Sequence, residues 1–200
     1  MNLHRRLQER VAEGRPLRVA LIGAGKFGTM FLAQVRHTPG LHVVGVADLS
    51  IPRIKNALQA AAWPTEQGEA RSVSQAIASG GTFATDDARA LIAADGVDVV
   101  IEATGNPAVG VAHALACCEA GRHVVMVNVE ADALAGPLLA SRARAAGIIY
   151  SLAYGDQPAL ICEMVDWART CGLSVVAAGK GTRYLPAYHD STSDTVWQYW

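Results

Sequence analysis

Apolar and polar positions fall in blocks along this chain, and the blocks alternate in period. "LRVALI" (17–22) and "HVVGVAD" (42–48) are apolar at nearly every position, which predicts strands covered on both faces. Between them, "KFGTMFLAQVRHT" carries apolar residues at helical spacing. A further helix is expected from about Pro52 to Trp63, followed by a polar, glycine-containing stretch (64–81) with a short helix at most. Asp86 or Asp87 is placed to cap a helix over "ARALIAA". "VDVVIEATGNP" reads as the fourth strand, broken by a glycine turn. Helices over 108–120, 130–146 and 157–170 then lead in turn to "HVVMVNV", "IIYSLAY" and a last apolar strand, "LSVVAAGKG".

Strands apolar on both sides and separated by helices imply a parallel sheet covered on each face, and right-handed crossovers make it doubly wound. The fold class is therefore α/β with a doubly wound parallel sheet of the Rossmann type. The expected organisation is an N-terminal helix (1–15), a dinucleotide-binding domain (16–172) and the start of a second, catalytic domain (173–200), truncated at "TVWQYW". Leu3, Leu7 and Val11 recur every four residues and give the first helix an apolar stripe, suited to packing on the domain or a neighbouring subunit.

Composition removes several classes of function. With 51% hydrophobic and 18% charged residues, the 200-residue chain is built for a buried core. A net charge of −1 gives no electrostatic reason for a nucleic-acid partner. No apolar run reaches the roughly 18 residues that span a bilayer. The N-terminal segment has arginines but no apolar signal core. Cys117, Cys118, Cys162 and Cys171 lack C-x-x-C spacing and read as reduced core residues of a cytoplasmic protein. The six histidines show no metal-ligand spacing, and His113 and His123 read as structural; whether a metal is required is left open.

The chemistry concentrates at "GAGKFG" (23–28), which ends one strand and opens a helix. Gly23 allows the tight turn, Gly25 lets a pyrophosphate approach the backbone, and Gly28 lets helix and strand pack closely. Lys26 and Phe27 lie in the same loop, at the positive end of the helix. Asp48 ends the second strand, 20 residues after Gly28, where a carboxylate can take the adenosine ribose hydroxyls. Asp48 favours NAD, while Arg53 and Lys55 a few residues on could accept the extra phosphate of NADP.

Ligands of such sheets lie beyond the carboxyl ends of the strands. Thr104, Gly105 and Asn106 follow the fourth strand and are placed for the nicotinamide half of the cofactor; Asn106 equally suits a helix cap. Asn128 and Glu130, after the fifth strand, face the same crevice. Asp156, in "YGDQPAL", caps a helix or contacts substrate. Lys180, one of three lysines against fourteen arginines, sits between two glycines and could protonate a developing alkoxide. The candidate catalytic set is Lys180, Asp156 and Glu130.

The segments "RVALIGAGKFGTMFLAQVRHTPGLHVVGVADLS", "EATGNP", "VNVEAD" and "SLAYGDQPALICEMVDWARTCG" resemble a group of bacterial oxidoreductases called homoserine dehydrogenase-like, which includes 1-deoxy-D-xylulose 5-phosphate reductoisomerase-like proteins. The resemblance implies NADPH-linked reduction and isomerisation of a sugar phosphate in isoprenoid precursor synthesis, by a homo-oligomer. The alternative within this resemblance is a homoserine dehydrogenase-type enzyme, against which "NVEAD", lacking the lysine expected there, counts. The E-K-P motif of the glucose–fructose oxidoreductase family is missing at the same place, which weighs against that family. A non-catalytic NAD(P)-binding regulatory module is the alternative from another class.

Overall fold

Six parallel strands and the helices between them carry the first three-quarters of the chain. The computed structural model describes residues 3–68, 70–154, 157–179, 186–192 and 194–195. The strands are β1 (Leu17–Ile22), β2 (Leu41–Ala47), β3 (Phe83–Thr85), β4 (Val99–Glu102), β5 (His123–Met126) and β6 (Tyr150–Leu152). They lie in the order β3-β2-β1-β4-β5-β6, and every pairing is parallel. The chain leaves β1 toward β2 and β3, then returns to the other side of β1 as β4. The crevice outside the carboxyl ends of β1 and β4 is thus the topological switch point, where ligands of open α/β sheets sit.

The double-sided apolar pattern has its counterpart in two core layers. On β1, Ala20 and Ile22 face one layer, with Leu91, Ile92, Val97, Val100, Cys117 and Val124. Val19 and Leu21 face the other, with Leu32, Val35, Val46, Ile54 and Leu58. The second layer belongs to α2 (Lys26–Val35) and α3 (Ile51–Ala60); the first to α4 (Val73–Ser79), α5 (Ala88–Ala93), α6 (Pro107–Ala120) and α7 (Val129–Ala145), while α1 (Leu3–Ala12) precedes β1. Alternating Cβ directions along a strand supply both faces at once, which is why these strands read as continuous apolar runs. Asp87 caps α5 by accepting from the Ala90 N–H at 2.9 Å, and Ser50, Ser72, Asn106 and Asn128 cap α3, α4, α6 and α7.

The described chain divides into two compact units, Met1–Ala153 and Tyr154–Trp200, whereas the sequence reading sets its boundary at 172/173. The second unit holds α8 (Gln157–Thr170), and its exposed Tyr154 donates a hydrogen bond to Glu163 at 2.5 Å. Two expectations need correction. Residues 173–179 form no strand: the run pairs with no strand among the described residues and is largely exposed, Val176 at 96%, so its apolar positions bury no sheet face. The cysteines are not all core residues, because Cys162 and Cys171 are exposed. Burial does push the Cys117 thiol up to about 12, helped by Cys118 and Glu102 nearby, so it stays protonated and inert. The third strand, left unplaced by the sequence, is the three-residue β3 at one edge.

Candidate cofactor site

The loop after β1 is held by contacts that only glycine permits. Gly23 has φ of +104°, and a Cβ on it would come within 2.5 Å of the Ala103 carbonyl oxygen. A Cβ on Gly28 would lie 2.1 Å from the Gly23 carbonyl oxygen, so the loop, α2 and the end of β4 are stacked backbone on backbone. Gly25 differs: its Cβ would meet no atom within 4 Å, and Gly25 lines a cavity of about 250 Å³. The other walls include Gly23, Asp48, Arg53, Asp86, Thr104, Asn106 and His113.

α2 begins differently from its neighbours. Five helices of the unit take a Ser, Asp or Asn side chain as N-cap, whereas α2 starts on Gly25 with no side-chain cap bond. Its first-turn amides are therefore not claimed by a cap, at the positive end of the helix and beside the cavity. A pyrophosphate fits such donors by both charge and hydrogen bonding.

Asp48 is turned inward, its side chain 8% exposed. Oδ2 accepts from the Ala24 N–H at 2.9 Å and Oδ1 from the Ser50 N–H at 3.0 Å. The carboxylate thus ties the glycine loop to the turn between β2 and α3. Arg53 Nη1 stands 3.6 Å from Oδ1, with most of its side chain in solvent.

A polar network supports the opposite wall. Glu102, the last residue of β4, is fully buried. Its Oε1 accepts from the Thr104 N–H at 3.3 Å and hydroxyl at 2.5 Å, and lies 3.3 Å from His113 Nδ1. Asn128 Oδ1 accepts from the Ala131 N–H, capping α7, while Nδ2 donates to the Asn106 carbonyl at 2.8 Å. This side chain therefore joins the loop after β4 to the loop after β5. Asn128→Ala is expected to lower the unfolding free energy by about 1–2 kcal/mol, read in urea denaturation, through loss of the cap and of the cross-link.

Of the residues expected to hold a cofactor, Gly23, Gly25, Asp48, Thr104 and Asn106 meet at the cavity. Gly28 is buried behind it, and Lys26, Phe27 and Gly105 are exposed without lining it. Glu130 is an exposed first-turn carboxylate of α7, not among the lining residues. Lys180 and Asp156 lie outside the described residues. Sequence reasoning gave no ligand role to His113, Val109 or Leu49, which also line the cavity, and did not single out Glu102. The available signal was a carboxylate closing an apolar strand. Among the described residues, no group of three or more His, Cys, Asp or Glu is placed to hold a metal, and no helix is long and apolar enough to cross a membrane.

A six-stranded parallel sheet with an uncapped glycine loop at its switch point defines a dinucleotide-binding Rossmann domain. The model of the oxidoreductase family with an NAD-binding Rossmann fold, GFO/IDH/MocA, matches residues 17–126. The chain belongs to that family. The missing E-K-P motif argues against this family, and the match overturns that expectation: the matched stretch ends at Met126, on β5, before "NVEAD". A second model, the catalytic domain of oxidoreductase DRL, matches residues 155–200.

No curated protein matches the chain significantly. Among solved structures, an NAD binding oxidoreductase from Klebsiella pneumoniae is 20% identical with a TM-score of 0.51, over 78% of this chain and 39% of that one. The WlbA dehydrogenase from Bordetella pertussis, in complex with NADH and UDP-GlcNAcA, is 20% identical with a TM-score of 0.51, over 79% and 44%. Biliverdin reductase from Synechocystis, in complex with biliverdin and NADP+, gives 20%, 0.51, 78% and 44%. At these identities the likeness is one of fold, and the chain spans roughly two-fifths of those proteins.

Proposed function

We propose that this chain carries the nucleotide-binding domain and catalytic-domain residues of an NADPH-dependent oxidoreductase. The observation that carries the reading is the uncapped α2 N-terminus beside the cavity, in a chain whose residues 17–126 match an NAD-binding family. Gly25 exposes the backbone to a pyrophosphate, and the loop of Thr104 and Asn106 lies along the nucleotide. When bound, the nicotinamide donates or accepts a hydride; the protein orients it and shapes the substrate side. Lys180 and Asp156 fall in the stretch matched by a catalytic domain and are the proposed substrate-side groups. The substrate we favour is a sugar phosphate or related hydroxy-carbonyl compound, 1-deoxy-D-xylulose 5-phosphate first, on the resemblance of "NVEAD" and "GDQPAL". A homo-oligomer is proposed on the same basis.

The choice of NADPH rests on Asp48 and Arg53. Both Asp48 oxygens already serve backbone amides, while the Arg53 guanidinium is 63% exposed at the cavity wall, placed to meet a 2′-phosphate. Calorimetric titration should show NADPH bound more tightly than NADH. Arg53→Ala should weaken NADPH about tenfold and leave NADH nearly unchanged. Equal affinities in the wild type, or equal losses in the variant, would remove Arg53 from this role. NADPH consumption with 1-deoxy-D-xylulose 5-phosphate, followed by absorbance, tests the substrate; none with it refutes that assignment for this chain.

A further inference from the structure

Behind the cavity wall lies a buried carboxyl group that the proposed nucleotide contacts do not use. Glu102 is fully buried, and its Oε2 has no hydrogen-bond partner among the described residues. A buried carboxyl group is costly unless hydrogen-bond partners meet it. His113, seven positions into α6, is the group in reach, with Nδ1 3.3 Å from Oε1. Gly110 leaves the room for this approach, since a Cβ there would come 3.1 Å from Glu102 Oε2 and 2.6 Å from Asn128 Nδ2.

Glu102 Oε1 already accepts from the Thr104 N–H and hydroxyl, so the contact with His113 places a ring hydrogen on Nδ1, and in the tautomer that carries it Nε2 is the acceptor. A histidine serving only to hold Glu102 by a hydrogen bond would need no opening at its second nitrogen. Instead the ring forms part of the wall that holds Gly23, Gly25, Thr104 and Asn106, and its side chain keeps 10% exposure. Nε2 takes no partner among the described residues and is not among the buried unpartnered atoms.

We propose that His113 is a nucleotide-contacting residue, accepting a hydrogen bond through Nε2 from a sugar hydroxyl of the dinucleotide, and that Glu102 is its positioning residue. A hydroxyl suits this geometry better than a phosphate, because the phosphate has no hydrogen to give to an acceptor. The charged residues Asp48, Arg53 and Asp86 that also face the cavity lie on other elements, so His113 is the one described imidazole there. The inference rests on the reading that this cavity takes the dinucleotide.

The test separates the two ring nitrogens in the full chain, with NADPH as the probe in calorimetric titration. His113→Asn keeps an amide N–H near the Nδ1 position but nothing at Nε2, whereas His113→Gln reaches the Nε2 position with a carboxamide oxygen. Affinity should fall about tenfold for His113→Asn and stay within about threefold of wild type for His113→Gln. A purely structural histidine would lower the thermal midpoint in both variants without this split, and equal affinities or equal losses overturn the proposal. In the wild type, the His113 Nε2 resonance of ¹⁵N-histidine-labelled protein should move on adding NADPH; an unmoved resonance overturns it even where a variant fails to fold. A wild type that binds neither NADPH nor NADH refutes the cavity reading and this inference together, whereas tight wild-type binding with an unaffected His113→Asn refutes the inference alone.

Discussion

Gly28→Ala should lower the thermal midpoint by roughly 5–10 °C and remove measurable NADPH binding. The added Cβ would sit 2.1 Å from the Gly23 carbonyl oxygen and 3.2 Å from its carbonyl carbon. Both are backbone atoms, so no rotamer change relieves the overlap; α2 must move away from β1 as a body. Gly23 cannot yield either, because its own Cβ position is filled by the Ala103 carbonyl, and its N–H donates to Ala47 at 2.8 Å. Overpacking of this kind costs about 1–3 kcal/mol or more, of which better helix propensity returns under 1 kcal/mol. A domain of this size loses about 2–4 °C per kcal/mol. Gly25→Ala is the control: φ there is −79° and a Cβ meets nothing within 4 Å, so stability should hold while binding weakens. A Gly28→Ala protein with wild-type midpoint and affinity would show that the loop is not stacked as described.

What the sequence made legible follows from what each signal physically encodes. β1, α2 and β2 could be read because a strand buried on both faces must be apolar throughout, and a helix packed on it must leave glycine at the crossing. Gly28 is that crossing. The same logic misled at residues 173–179, where an apolar run lacks a neighbouring strand. Apolarity states a need for burial but does not name the partner that provides it. β3 escaped placement because an edge strand of three half-buried residues carries little pattern. The site was legible where function is written into backbone conformation, as at Gly23 and Gly25, and less so where it depends on contacts across elements. Nothing in the spacing of Glu102 and His113, eleven residues apart, says that β4 and α6 bring them to 3.3 Å. Asp48 shows the same limit from the other side. Its position after β2 was apparent, but the direction of its carboxylate was not.

That direction sets the second large effect. Asp48→Ala should cost about 3 kcal/mol in unfolding free energy and at least tenfold in nucleotide affinity, the two falling together. The variant loses two charge-assisted hydrogen bonds, from Ala24 N–H at 2.9 Å and Ser50 N–H at 3.0 Å, each of the class that contributes about 1.5–3 kcal/mol. Ala24 is buried, so its N–H is left without an easy replacement in water. Affinity falls because Ala24 stands between Gly23 and Gly25, and freeing it loosens the amides that receive the pyrophosphate. Asp48→Asn keeps one acceptor oxygen and can hold one of the two donors, so it should show about half the loss of stability. A carboxylate whose sole task is to take ribose hydroxyls would behave otherwise: its loss would weaken binding with no change in the urea midpoint of the free protein. Measuring both quantities on both variants therefore decides whether Asp48 acts on the nucleotide directly or through the loop, and the geometry favours the loop.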